Sequence, residues 1–162
     1  MSMICLGILP VESNDSLEIL KTTVAQICKT HHLFCWFNQA SDISEPCVKQ
    51  YKNSFANYIV FSISDHQRYN NIEDFFTFSF PDGISQRKIK HHAAILSDII
   101  KRITDSCRLK ECNLFVATSG TLYEELDLLQ VNQETCSEMI EKSLLQSKLA
   151  CEDPSIHIVY SP

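Results

Sequence analysis

Glycine is scarce in this chain: three in 162 residues, at Gly7, Gly83 and Gly120. Three glycines cannot build GxGxxG or GxxxxGK(S/T). The first apolar run also leads into ILPVESND rather than a glycine-rich turn. Phosphate cradles of the dinucleotide and P-loop kinds are therefore excluded. Prolines number only five, and no Gly/Ser-rich, Pro-rich or single-sign tract interrupts the chain. There is no long flexible linker and no internal repeat, so residues 1–162 read as one domain, long enough to bury a substantial core. No run of 18 apolar residues offers a membrane span. The N-terminal MSMICLGILP lacks a positive n-region and a small-residue cleavage site. It reads as a first strand rather than a signal peptide, which makes the cytoplasm the expected location.

Cysteine is not scarce, but its spacing is uninformative. Eight are present (Cys5, Cys28, Cys35, Cys47, Cys107, Cys112, Cys136 and Cys151), with no CxxC or CxxH among them. Zinc knuckles need that tight spacing, and a chain of this length needs no disulfide staples. Most are expected to be reduced, buried, small hydrophobes. The adjacent pairs His31-His32 and His91-His92 do not chelate by themselves, because neighbours on a helix point about 100° apart. No metal and no cofactor is expected.

What the chain does have is charge divided by sign. Overall it carries 14 Lys+Arg against 20 Asp+Glu. Between Arg87 and Lys110 the balance reverses: Arg87, Lys88, Lys90, Lys101, Arg102, Arg108 and Lys110 face only Asp98 and Asp105, a net of +5. From Glu111 onward nine acids face Lys142 and Lys148, a net of −7. Such a division speaks of partners more than of chemistry.

Periodicity predicts the elements. Met3–Leu9 is a strand buried on both faces, and Asp15-x-x-Glu18 reads as a capping box for a helix to about Lys29. Leu33–Phe37 is a second strand, Ser44–Phe55 a short helix and Tyr58–Ile63 a third strand. Phe76–Phe80 is a half-exposed strand expected to pair antiparallel with the third. Ser85–Cys107 is the longest helix. Ile89, Ala93, Leu96, Ile100 and Ile103 form its apolar stripe, with the basic cluster opposite. Asn113–Thr118 is a buried strand. Thr121–Val131 is ambiguous between helix and strand and is expected to be helical or irregular. Asn132 suits the N-cap of a helix to about Leu149, and Ile156–Tyr160 closes as a strand. Strands alternating with helices indicate α/β: a single domain with a mixed five- or six-stranded sheet and helices on its faces.

The candidate sites follow from the same reading. The polar loop 64–71 holds Asp65, His66, Arg68 and Tyr69: a carboxylate, an imidazole, a guanidinium and a phenol within five residues. It suits acid/base work or partner contact. Loop 118–121, also beyond a strand end, places small hydroxyls where α/β proteins hold ligands. The acidic candidates for partner binding are Tyr123, Glu124, Glu125 and Asp127, followed by Glu134, Glu138 and Glu141 at i, i+4 and i+7. Arrays like these imitate a phosphate backbone and steer a basic partner. The basic helix could bind phosphates, but a chain with pI ≈ 5.4 is a poor polyanion binder, so nucleic acid is not the expected partner.

In these acidic arrays, Glu124/Glu125/Asp127 and Glu134/Glu138/Glu141, the chain resembles bacterial immunity proteins that neutralise nuclease toxins, such as those of contact-dependent growth inhibition systems. The resemblance is of profile across the whole chain rather than of motif. It implies one-to-one inhibition of a basic toxin domain without catalysis. The Arg87–Lys110 helix departs from it and implies either contact through another face or a partner whose surface is of mixed sign. Two alternatives stand beside it: a small enzyme or ligand-binding domain using loops 64–71 and 118–121, and an adaptor subunit docking through the basic helix.

Overall fold

The structure, a computed structural model, describes residues 3–11, 13–39, 58–68, 72, 85–118 and 126–162. The expected Ser44–Phe55 helix and Phe76–Phe80 strand lie outside these residues. Among those described, six strands form one sheet: β1 (Met3–Pro10), β2 (Phe34–Gln39), β3 (Tyr58–Ser64), β4 (Cys112–Thr118), β5 (Asp127–Val131) and β6 (Ile156–Tyr160). Three helices accompany it: α1 (Asn14–Thr30), α2 (Gln86–Ser106) and α3 (Cys136–Ala150). The sheet order is β2-β3-β1-β4-β6-β5. Every pairing is antiparallel except β5–β6, so the sheet is mixed and the domain α/β, as the alternation of elements required. The one parallel pair is joined by α3, the kind of crossover that parallel strands need.

The inner strands are buried on both faces although their pairings are antiparallel. On β1, Met3, Cys5 and Leu9 face the three helices, and Leu6 and Ile8 face the other way. Val24, Ile27 and Cys28 of α1, the Ile89–Ile103 stripe of α2, and Ile140 and Leu144 of α3 all enter the core on the first face. Each such side chain contributes about 1.5–3 kcal/mol of transfer free energy. A second, smaller cluster of Leu6, Ile8, Val60, Phe115 and Ala117 lies on the opposite face.

Three boundaries differ from the sequence expectation. The N-terminal capping box of α1 is formed by Ser13 and Ser16, not Asp15 and Glu18. Ser13 Oγ accepts the Ser16 N–H at 3.3 Å, and Ser16 Oγ accepts the Ser13 N–H at 3.1 Å. With the cap at Ser13, Asp15 and Glu18 fall inside the helix, out of capping register. The second difference is β5: the Thr121–Val131 segment, expected to be helical or irregular, contains a strand at its C-terminal half. Asp127 donates its N–H to Ser155 at 3.0 Å, and pairing with β6 overrides the helical preference of leucine. The third is small. α3 is assigned from Cys136, yet the capping bonds come from Asn132, whose Oδ1 accepts the N–H groups of Glu134 and Thr135, each at 3.0 Å.

Scarce glycine leaves its mark at the helix C-termini. Each of the three helices ends with a positive-φ residue that is not glycine: His32 (59°), Arg108 (52°) and Cys151 (56°). The hydrogen bonds are those of the Schellman motif, with Leu33 N–H to Cys28 O, Leu109 N–H to Thr104 O and Glu152 N–H to Ser147 O.

Candidate functional site

The acidic candidates divide between the two ends of β5. Asp127 opens the strand and is exposed. Its bond to Ser155 sets it close in the fold to the exposed Glu152 and Asp153, which lie three and two positions before that serine. Glu134 sits beyond the other end of β5, exposed, in the turn that Asn132 closes. Glu138 is exposed on α3, whereas Glu141 is half-buried. Glu134 precedes the helix, so the expected i, i+4, i+7 stripe is shortened to Glu138 and Glu141. Tyr123, Glu124 and Glu125 lie outside the described residues.

Among the described residues none of these acids pairs with the basic helix. Among the described residues the ion pairs are Lys21–Glu18, His31–Asp98, His66–Asp65 and Arg102–Asp98. Asp98 is the anchor of α2: its Oδ2 lies 2.6 Å from His31 Nε2 and 3.5 Å from Arg102 Nη1. Arg102 also donates to Thr30 Oγ1 at 2.8 Å. The C-terminal half of the basic helix is thus tied to α1, while Arg87, Lys88 and Lys90 stand exposed at the other end. Asp127, Glu134, Glu138, Glu152 and Asp153 take part in none of the four pairs.

Among the described residues β5 is an edge of the sheet, and its parallel register determines which backbone groups are used. Asp127 bonds to β6 through Ser155, and Val131 accepts from Ser161 N–H at 3.0 Å. In a parallel ladder alternate residues turn both their N–H and C=O toward one neighbour. Asp127, Leu129 and Val131 therefore serve β6, and Leu128 and Gln130 turn theirs outward. Both are exposed, Leu128 to 59%.

The strand ends that lead into the two candidate loops lie at one end of the sheet. β3 ends at Ser64 and β4 at Thr118, on either side of the start of β1. Ser64 Oγ accepts from His66 N–H at 3.0 Å, and Asp65 Oδ1 lies 3.5 Å from His66 Nε2. Asp65 is mostly buried and Arg68 is exposed. Tyr69 lies outside the described residues, as do Ser119, Gly120 and Thr121.

Two side-chain groups escaped the sequence reading. On the face opposite the helices, Glu111 Oε1 accepts from Asn113 Nδ2 at 3.1 Å, and Asn113 Oδ1 lies 2.9 Å from His157 Nε2. Asn113 Oδ1 can only accept, so Nε2 is the protonated nitrogen of that imidazole. The ring stacks on Phe115 with centroids 4.3 Å apart. Burial pushes the His157 pKa down to about 4, with Glu111 opposing weakly. On the helix face, the Cys35 thiol is hydrogen-bonded to Cys28, with Cys5 nearby, although the three lie on β2, α1 and β1. Only pairing brings them together, Cys5 and Cys35 flanking Ile63 across the sheet. That hydrogen bond and burial push Cys35 up, and burial does the same for Cys5 and carries Cys112 to about 12. Thiols held this far from ionisation are poor nucleophiles. Among the described residues no group of three or more His, Cys, Asp or Glu side chains is placed to hold a metal ion. Nor is any described helix long and apolar enough to cross a membrane.

Compared with protein-family models, curated proteins and solved structures, the chain matches none.

Proposed function

We propose that this chain is a protein-binding inhibitor of the immunity type, which neutralises a basic, nuclease-type toxin domain by covering it. The observation that carries this reading is the set of exposed carboxylates at both ends of an open sheet edge. Asp127, Glu152 and Asp153 stand at one end and Glu134 at the other, and none of the ion pairs among the described residues includes them. Unpaired like charges around one element cost stability and favour a cationic partner. Nucleophilic catalysis by Cys5, Cys35, Cys107, Cys112 or Cys136 is disfavoured because burial, preceded at Cys35 by the hydrogen bond to Cys28, raises their pKa values. His157, held by Asn113 and stacked on Phe115, has the environment of a structural imidazole.

The test is association with the product of an adjacent toxin gene in the source genome. Charge reversal at Glu124, Glu125 and Asp127 should slow association at low salt by tenfold or more, and 0.5 M salt should erase the difference. An unchanged on-rate removes this surface from the reading.

A second reading is a ligand-binding domain. It is favoured by the convergence of the β3 and β4 ends, with Asp65, His66 and Thr118, at one end of the sheet. A small molecule retained through purification and released by changes at Asp65 or Thr118 would support it.

A further inference from the structure

We infer that the free edge of β5 takes up an extended cationic segment of the protein partner as a seventh strand. This rests on the inhibitor reading and specifies how the partner is held.

Leu128 and Gln130 turn two N–H donors and two C=O acceptors away from β6, in a strand whose other side is fully laddered. An edge of this kind is a template for strand addition, in which main-chain bonds supply affinity and alternate side chains supply selectivity. Proteins guard such edges with lysine, proline or a bulge. β5 (DLLQV) has neither lysine nor proline, and its pairing with β6 runs unbroken through all five residues. Its protection is anionic, from Asp127, Glu152 and Asp153 at one end and Glu134 at the other.

That arrangement selects the occupant. A second copy in antiparallel register would lay the Asp127 end over the Glu134 end; in parallel register like ends coincide. Both place carboxylates against carboxylates. A basic segment meets opposite charge at both ends. At its centre it meets the exposed Leu128 side chain, on the face opposite the helices. The matching segment is extended, cationic at its ends and apolar opposite Leu128.

The experiment uses two nine-residue peptides of alternating lysine and valine, blocked at both termini. One has free backbone amides; the other is N-methylated at every second residue, so that it cannot extend a sheet. Amide exchange and chemical shifts are read by NMR on the full chain. The free peptide should slow exchange at Leu128 and Gln130 about tenfold or more, and the methylated one should not. In a Gln130→Pro variant, which removes an outward N–H not used by β6, affinity for the free peptide should fall tenfold. If both peptides shift Asp127, Glu152 and Asp153 without protecting Leu128 and Gln130, strand addition is overturned and the acidic surface stands. If neither peptide perturbs these residues, both readings fail.

Discussion

The ring of Phe61 lies over Gly7, its register partner on β1, in the space a β-carbon would occupy. Gly7 sits in the middle of β1, within the buried run Cys5–Leu9, where glycine otherwise weakens a sheet. It is there because Phe61 is fully buried across it and fills the gap. Gly7→Ala should destabilise the fold by about 1–3 kcal/mol, because the added methyl would overlap the ring of the fully buried Phe61. Chemical denaturation measures this. Phe61→Leu in the Gly7→Ala background should recover part of the loss, and no recovery would mean that the ring is not the obstacle.

Arg108 and His32 each occupy a left-handed helix terminus that glycine fills at less cost. A non-glycine residue there carries a penalty of about 1–2 kcal/mol. Both side chains are exposed, so little packing is lost on truncation. Arg108→Gly and His32→Gly should each raise stability by about 1 kcal/mol, or about 2–4 °C in Tm for a chain of this size. A lowered Tm in both would contradict the assigned caps.

His157 should make stability depend on pH. Its folded pKa, about 4, lies below the ordinary 6.5. Between those values the unfolded chain binds the extra proton. The stabilising contribution is therefore complete above about pH 6.5 and is lost as pH falls toward 4. The loss should amount to roughly 1–3 kcal/mol, the lower figure allowing for residual solvent screening. Urea midpoints at pH 7, 5.5 and 4.5 should fall more steeply for the native chain than for His157→Gln, which keeps a donor toward Asn113. Parallel curves would show that His157 does not carry the effect.

Thiol labelling should separate Cys151 from the core. Cys151 is exposed, whereas Cys5, Cys28, Cys112 and Cys136 are buried. Site-resolved alkylation at pH 8 should label Cys151 at least a hundredfold faster than those four, because exchange at buried thiols must await opening and their pKa values are raised by burial in Cys5, Cys112 and Cys136. Comparable rates would mean that the core opens far more readily than its packing implies.

Much of this fold is written in local patterns. The apolar runs of β1, β3, β4 and β6 and the stripe on α2 were legible because a buried strand needs a continuous hydrophobic run and an amphipathic helix needs its period. Asn132 was legible as a cap because its short side chain reaches the next N–H groups without help from the rest of the chain. Ser13 does not stand out from Asp15 in the sequence, since several residues of SNDSLE can cap and only the entry angle of the chain chooses among them. The segment before Val131 read as helix because leucine favours helices. β6, more than twenty residues later, makes it a strand.

The candidate site shows the same divide. The acids and their sign are properties of composition, fixed before folding, and they suffice to suggest a cationic partner. Their placement at the two ends of one edge strand is not. It depends on β6 pairing with β5 on one side only, leaving Leu128 and Gln130 with outward backbone groups. In the same way, Cys5, Cys28 and Cys35, and Asn113 and His157, meet only once the strands are in register. Local periodicity specified which elements form, because each needs a face to bury. Tertiary pairing alone decided the sheet order, the free edge and the company each polar side chain keeps, because those contacts join residues far apart in the chain.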